Sequence, residues 1–224
     1  MPRPTLNDDD RAQRRRQLLD AAHALYQRRQ ALPTVAEIAQ AAGVAKGTVY
    51  LSFGTKEEIF IALLDDGFAQ LLGTLLPQLQ QLPRQAEAAA AAFAAGFSAS
   101  LRTLPDLLPL AAMTNSVLEK NLPLDTLLDF KTRVMGGLMM AGAQLEAHLP
   151  LLLEPDQGSD LLRRTWALTQ GLWQLSDCPT PMKPHLIEAL TARGVPHVYD
   201  RDFHDELQTA LTLLWRGTLL ARRR

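Results

Sequence analysis

The chain has 224 residues, 47% of them apolar, enough to bury a proper core as one large domain or as a small domain on a larger one. Its formal net charge is −1 with a pI near 6.5, so no protein-wide basic field advertises nucleic acid, and any such signal has to be local. The lone cysteine, Cys178, has no partner for an internal disulfide, residues 1–10 lack the apolar run of a signal peptide, and no apolar stretch is uninterrupted for the roughly 18 residues of a membrane span. A soluble cytoplasmic protein is expected.

Leu, Ala, Gln and Arg dominate, and alternating Val/Ile/Thr/Tyr runs are missing, so the fold class is all-α. Breakers at Pro33, Gly43, Gly54, Pro77 with Pro83, Pro105 with Pro109, Pro123, Pro150 with Pro155 and Gly158, Pro179 to Pro184, and Gly194 with Pro196 divide the chain into about nine helices.

From Arg11 onward, Leu18, Leu19, Ala22, Leu25 and Tyr26 repeat on one helical face, with Arg14, Arg15 and Arg16 as a basic shoulder. Thr34-Val-Ala-Glu37 has the form of a capping box, and Val35, Ile38, Ala39 and Ala42 then line the inward face of a second helix. That helix must stop at Gly43, because glycine tolerates the left-handed C′ conformation; a third helix starts near Ala45 with Val49 and Phe53 inward. Two short helices joined by a glycine turn make a helix-turn-helix. Its outward residues Lys46, Gly47, Thr48, Tyr50, Leu51 and Ser52 suit a recognition surface, offering a cation and hydroxyls for phosphate or base edges. After Gly54, Thr55-Lys-Glu-Glu58 has the form of a second capping box opening a long helix, whose free N–H groups beside Lys56 would suit a phosphate.

The run from Thr34 to Ile59, with Ile38-Ala39, Gly43-Val44, Tyr50, Phe53, Lys56 and Glu57 in order, resembles the DNA-binding domain of the TetR family of repressors over roughly residues 14–64. The resemblance implies a homodimer that sets one recognition helix per subunit in successive major grooves and is released by a small molecule bound in its C-terminal domain. It also implies DNA contacts by Thr34, Lys46, Thr48, Tyr50 and Lys56. Two positions depart from the usual pattern: Ala45 stands where a serine often caps the recognition helix, and Ser52 where an aromatic or histidine is common. The organisation expected is a flexible arm over 1–10, the helix-turn-helix domain over 11–55, a connecting helix over 56–81, and a larger ligand-binding and dimerisation domain over 82–224. Local charge agrees with this reading: through Lys56 nine bases face five acids, +4, which leaves −5 for the rest.

The body offers no catalytic set, cofactor fingerprint or metal spacing; His23, His148, His185, His197 and His204 are too scattered, and an enzyme is not expected. What it offers is apolar excess. In 159–176, Leu162, Trp166, Thr169 and Trp173 form one stripe and Leu161, Leu168, Leu172 and Leu175 another; in 203–220, Phe203, Leu207, Ala210, Leu211, Leu214, Trp215 and Thr218 form a seam. Trp166, Leu172, Leu207, Leu211, Leu214 and Trp215 are therefore the expected dimer-interface residues, with ordinary monomer core as the alternative. An effector pocket is expected among Phe93, Phe97, Met113, Asn115, Glu119, Met135, Met139 and Trp173, with Gly136 and Gly137 making room, although core packing explains the same residues. The expected partners are a palindromic DNA operator, a small apolar or aromatic effector and a second copy of the chain, with no membrane. The alternative function is an effector-independent architectural DNA-binding protein with the same reading head.

Overall fold

The computed structural model describes residues 8–29, 31–114, 121–176, 183–195 and 201–221. Ten helices and no strand occur among the described residues: α1 (Asp8–Arg29), α2 (Val35–Ala41), α3 (Lys46–Ser52), α4 (Lys56–Gln80), α5 (Ala86–Arg102), α6 (Leu107–Met113), α7 (Leu124–His148), α8 (Gln157–Ser176), α9 (Lys183–Thr191) and α10 (Phe203–Leu220). The all-α reading is thus correct, with one helix more than the breakers imply. Pro77 does not end a helix: it lies within α4, three residues before its C-terminus, and its missing N–H leaves out one intrahelical bond that the helix continues without. α4 is long and apolar enough to cross a membrane by length and composition, but Ile59, Phe60, Ile61, Leu64, Leu71, Leu75 and Leu79 are buried within the protein.

Contacts group the chain into two compact units, the first running to Gly67 and including Pro109–Thr132, the second made of Phe68–Leu108 and the chain from Arg133. In the first unit, Leu18, Leu19, Ala22 and Leu25 of α1 meet Val35, Ile38 and Ala39 of α2, Val49 of α3, Phe53 and Ile59 in one apolar core. The periodicity of each short helix puts these side chains on one stripe, and three stripes close on each other. Gly43 takes φ +66°, the left-handed corner that lets α2 and α3 turn.

In the second unit α10 packs on α5 and α8. The Phe93 ring stacks on Trp215 with centroids 3.5 Å apart and on Phe97 at 5.4 Å. Trp215 donates its indole N–H to Thr165 Oγ1 at 2.9 Å, so its one polar group is satisfied inside the core. α7 meets the start of α8 with backbone in contact: a Cβ on Gly142 would lie 2.5 Å from the Ser159 nitrogen, and one on Gly158 would lie 2.4 Å from the Gly142 oxygen. The glycines that permit a close approach are therefore Gly142 and Gly158. Among the described residues, nothing lies within 4 Å of a Cβ built on Gly136, and one on Gly137 meets only Leu72 Cδ2 at 3.0 Å, so no close approach of another helix's backbone is found at either glycine.

Candidate nucleic-acid interface

α2 is held at both ends. Thr34 Oγ1 accepts from the Glu37 N–H at 3.3 Å and the Glu37 carboxylate accepts from the Thr34 N–H at 2.8 Å, the reciprocal box the spacing predicts. The Thr34 backbone bond, with help from Arg29 and the Thr34 hydroxyl, holds the Glu37 carboxyl at about 2. At the far end, Gln17 of α1 donates to the Ala42 carbonyl at 2.7 Å, so α1 caps the helix that precedes the turn.

α3 starts at Ala45, which has extended backbone and no side-chain cap, as its methyl dictates. Val49 and Phe53 anchor it inward, leaving Lys46, Gly47, Tyr50 and Leu51 exposed and Thr48 and Ser52 half-buried. The Lys46 ammonium lies 6.0 Å from the Tyr50 ring centre, and the Ser52 hydroxyl donates to the Thr48 carbonyl at 3.3 Å. The C-terminal end of α3 is tied to α1 by Arg15, whose guanidinium stands over Phe53 and donates to the Ser52 carbonyl at 3.4 Å. Arg16 is committed elsewhere, to Asp20 at 3.1 Å and Asp66 at 2.9 Å. Between α1 and α3 opens a cleft of about 540 Å3 lined by Arg11, Ala12, Arg14, Arg15, Thr48, Leu51 and Ser52.

The second box differs from its predicted form. Thr55 Oγ1 accepts from the Glu58 N–H at 3.2 Å, but the Glu58 carboxylate reaches past Thr55 to the Gly54 N–H at 3.0 Å. Glycine allows it, since a Cβ there would lie 2.9 Å from Glu58 Oε1. Lys56 is half-buried at the first turn of α4. The DNA-contact residues expected from sequence thus divide between the loop before α2 (Thr34), α3 (Lys46, Gly47, Thr48, Tyr50, Leu51) and the start of α4 (Lys56). The tie by Arg15 and the cap by Gln17 were missed, because nothing in local spacing links α1 to the ends of α2 and α3.

The second-unit expectations need correction. Leu207, Leu211 and Trp215 are fully buried in their own protomer, and Trp215 is stacked on Phe93, so they form core and cannot face a partner. Trp166 is half-buried with its ring edge-on to Phe68 at 5.0 Å; Leu172 and Leu214 are half-buried. The apolar side of α10 that remains outside carries Leu213, 64% exposed, with Gly217 and Leu220, and the corresponding side of α8 carries Ala167, Gly171 and Leu175. Small residues at helical spacing were the available signal.

Of the pocket candidates, Phe93 and Phe97 lie together in the core, whereas Met135 and Met139 are 50% and 62% exposed on α7, because among the described residues their side of the helix is left largely uncovered. Met113 is half-buried at the end of α6; Asn115 and Glu119 lie outside the described residues, as do Cys178 and His197. Trp173 stands edge-on to Phe203 at 5.2 Å, and its indole nitrogen is buried without a hydrogen-bond partner among the described residues. No group of three or more potential metal ligands occurs among the described residues.

Comparison with known proteins agrees with this arrangement. Residues 18–63 match the family described as bacterial regulatory proteins, tetR family, and residues 66–222 match the tetracyclin repressor-like C-terminal domain. No curated protein matches significantly. Among solved structures, the fold is similar to a protein of unknown function from Rhodococcus sp. RHA1 (19% identity, 98% of this chain and 99% of that one, TM-score 0.53). It is also similar to the fatty acid degradation regulator FadR from Bacillus halodurans (18% identity, 93% and 97% coverage, TM-score 0.54). With both halves matched and a helix-turn-helix in place, the chain belongs to the TetR family of bacterial DNA-binding transcriptional regulators.

Proposed function

We propose that this regulator is a cytoplasmic homodimeric repressor that binds a palindromic operator and releases it when a small apolar or aromatic effector binds the second unit. The observation that carries the reading is α3: it is anchored by Val49 and Phe53 and turns Lys46, Gly47, Tyr50 and Leu51 outward beside the arginines of α1. Cations and hydroxyls suit phosphate, and a short helix fits a major groove. Lys56 and Thr34 would add backbone contacts on either side.

Dimerisation is assigned to the outward sides of α8 and α10, Ala167, Gly171 and Leu175 with Leu213, Gly217 and Leu220, which would pair with their own copies about a two-fold axis. The effector site is assigned to the surroundings of Trp173, whose buried indole N–H has no partner among the described residues and would favour an apolar molecule that carries a hydrogen-bond acceptor. α4, one continuous helix from Lys56 to Gln80, would carry a displacement from effector to reading head.

Selection of bound sequences from random duplex DNA tests the reading. An imperfect palindrome with half-sites about one helical turn apart, or a multiple of it, is expected. Leu213→Glu should give a monomer by light scattering with loss of tight operator binding; an asymmetric selected site bound by a monomeric wild type would overturn the dimeric reading. Calorimetry of a candidate effector with and without operator separates release from the architectural alternative, since linkage requires DNA to weaken the effector by the factor by which the effector weakens DNA.

A further inference from the structure

The most exposed large apolar side chain among the described residues sits on the reading helix: Leu51, at 88%. It shares one wall of the α1–α3 cleft with Thr48 and Ser52, while Arg11, Ala12, Arg14 and Arg15 of α1 make the other. An isobutyl group held in water beside three guanidinium-bearing residues suits a surface that is anionic on one side and offers an apolar spot on the other. Duplex DNA has this pairing. Its phosphates flank the major groove, and the thymine C5-methyl is the apolar group presented on the base edges there.

We propose that Leu51 is a specificity-determining residue that packs on one thymine methyl in each operator half-site, with Arg11 and Arg14 holding the neighbouring phosphate. The assignment rests on the reading of α3 as the DNA-reading helix and adds to it a base and the group on that base. Thr48, one turn earlier on the same cleft wall, presents a hydroxyl and a methyl and takes the adjacent edge. The phosphate contact fixes register while the leucine discriminates, so the two arms of the cleft should separate in experiment.

The test uses the full-length protein and an operator obtained by selection, in which each thymine is replaced singly by deoxyuridine, deleting one methyl and leaving base pairing intact. For wild type, one thymine per half-site should show about a fourfold loss of affinity, the value of one buried methyl. In Leu51→Ala, that penalty should vanish while penalties elsewhere persist. Arg14→Ala should keep the deoxyuridine penalty and reduce the salt slope by about one unit. Equal penalties at that thymine in wild type and Leu51→Ala, or no thymine sensitive to methyl removal, would overturn the proposal while leaving α3 a reading helix. Failure of wild type to select any sequence would remove both. A change in oligomeric state of Leu51→Ala would mean that the leucine covers a second copy, which also overturns the assignment.

Discussion

The guanidinium of Arg15 lies 4.1 Å from the centre of the Phe53 ring, so a surface cation of α1 closes over the residue that ends the recognition helix. At an exposed site such a contact contributes about 0.5–1 kcal/mol, too little to decide folding but enough to bias the pitch of a seven-residue helix. Arg15→Lys keeps the charge and loses the planar contact and fixed fork. It should unfold at nearly the wild-type midpoint yet weaken operator binding more than non-specific binding, as anisotropy titrations at matched salt would show. Equal weakening of both would reduce Arg15 to a general cation.

Positioning and reading should also separate at the two helix starts. If Lys56 holds a phosphate as proposed, Lys56→Ala should weaken specific and non-specific binding together and lower the salt slope by about one unit. Thr48→Ala should instead relax base preference at one position of the site. Circular dichroism on both variants checks that the fold survives.

In the second unit, Thr165→Val should cost about 1–3 kcal/mol in urea unfolding, since it leaves the buried Trp215 N–H without its acceptor. Trp215→Phe in the same background removes the orphan donor, so the double variant should be less destabilised than the sum of the two single changes. Additive costs would show that the hydrogen bond contributes nothing beyond packing.

Glycines of α7 give a paired test. Gly142→Ala drives a methyl to 2.5 Å from the Ser159 backbone nitrogen and should destabilise by about 1–3 kcal/mol, because backbone on both sides must shift. Gly136→Ala meets nothing within 4 Å and should stabilise by up to about 1 kcal/mol through helix propensity. Thermal unfolding midpoints moving in opposite directions are the expected result.

His204 supplies a pH signature. Burial pushes its imidazole below the ordinary 6.5, Arg102 pushes the same way, and Asp202 and Asp205 oppose them; Ser98 Oγ shares a hydrogen bond with Nδ1 at 3.0 Å. Because the native value lies below the unfolded one, the unfolded chain takes the proton first. The stability this group contributes is complete above about pH 6.5 and is lost as pH falls through the native value. Its NMR titration should have a midpoint below that of an unfolded control, and Arg102→Ala should raise it. The Asp202 carboxyl is lowered chiefly by the Asp205 N–H it caps, so its contribution is lost only in stronger acid; Asp202→Ala should cost about 1 kcal/mol through the lost cap of α10.

The reading head was legible because its determinants are local. The Thr34–Glu37 box, the left-handed Gly43, the uncapped Ala45 and the inward pair Val49 and Phe53 depend on residues a few positions apart, where covalent geometry leaves few choices. The sequence by itself determined an all-helical protein with that head, and it determined that α8 and α10 carry more apolar surface than one helix face can use. It could not determine which side of each helix meets the protomer's own core, since an amphipathic stripe demands burial without naming what buries it. Only the tertiary structure decided that Leu207, Leu211 and Trp215 go inward, Trp215 onto Phe93 and Thr165, while Leu213 and Gly217 stay outside. It likewise decided that Gly142, rather than Gly136, lets two backbones touch, because close approach depends on where a distant helix start lies.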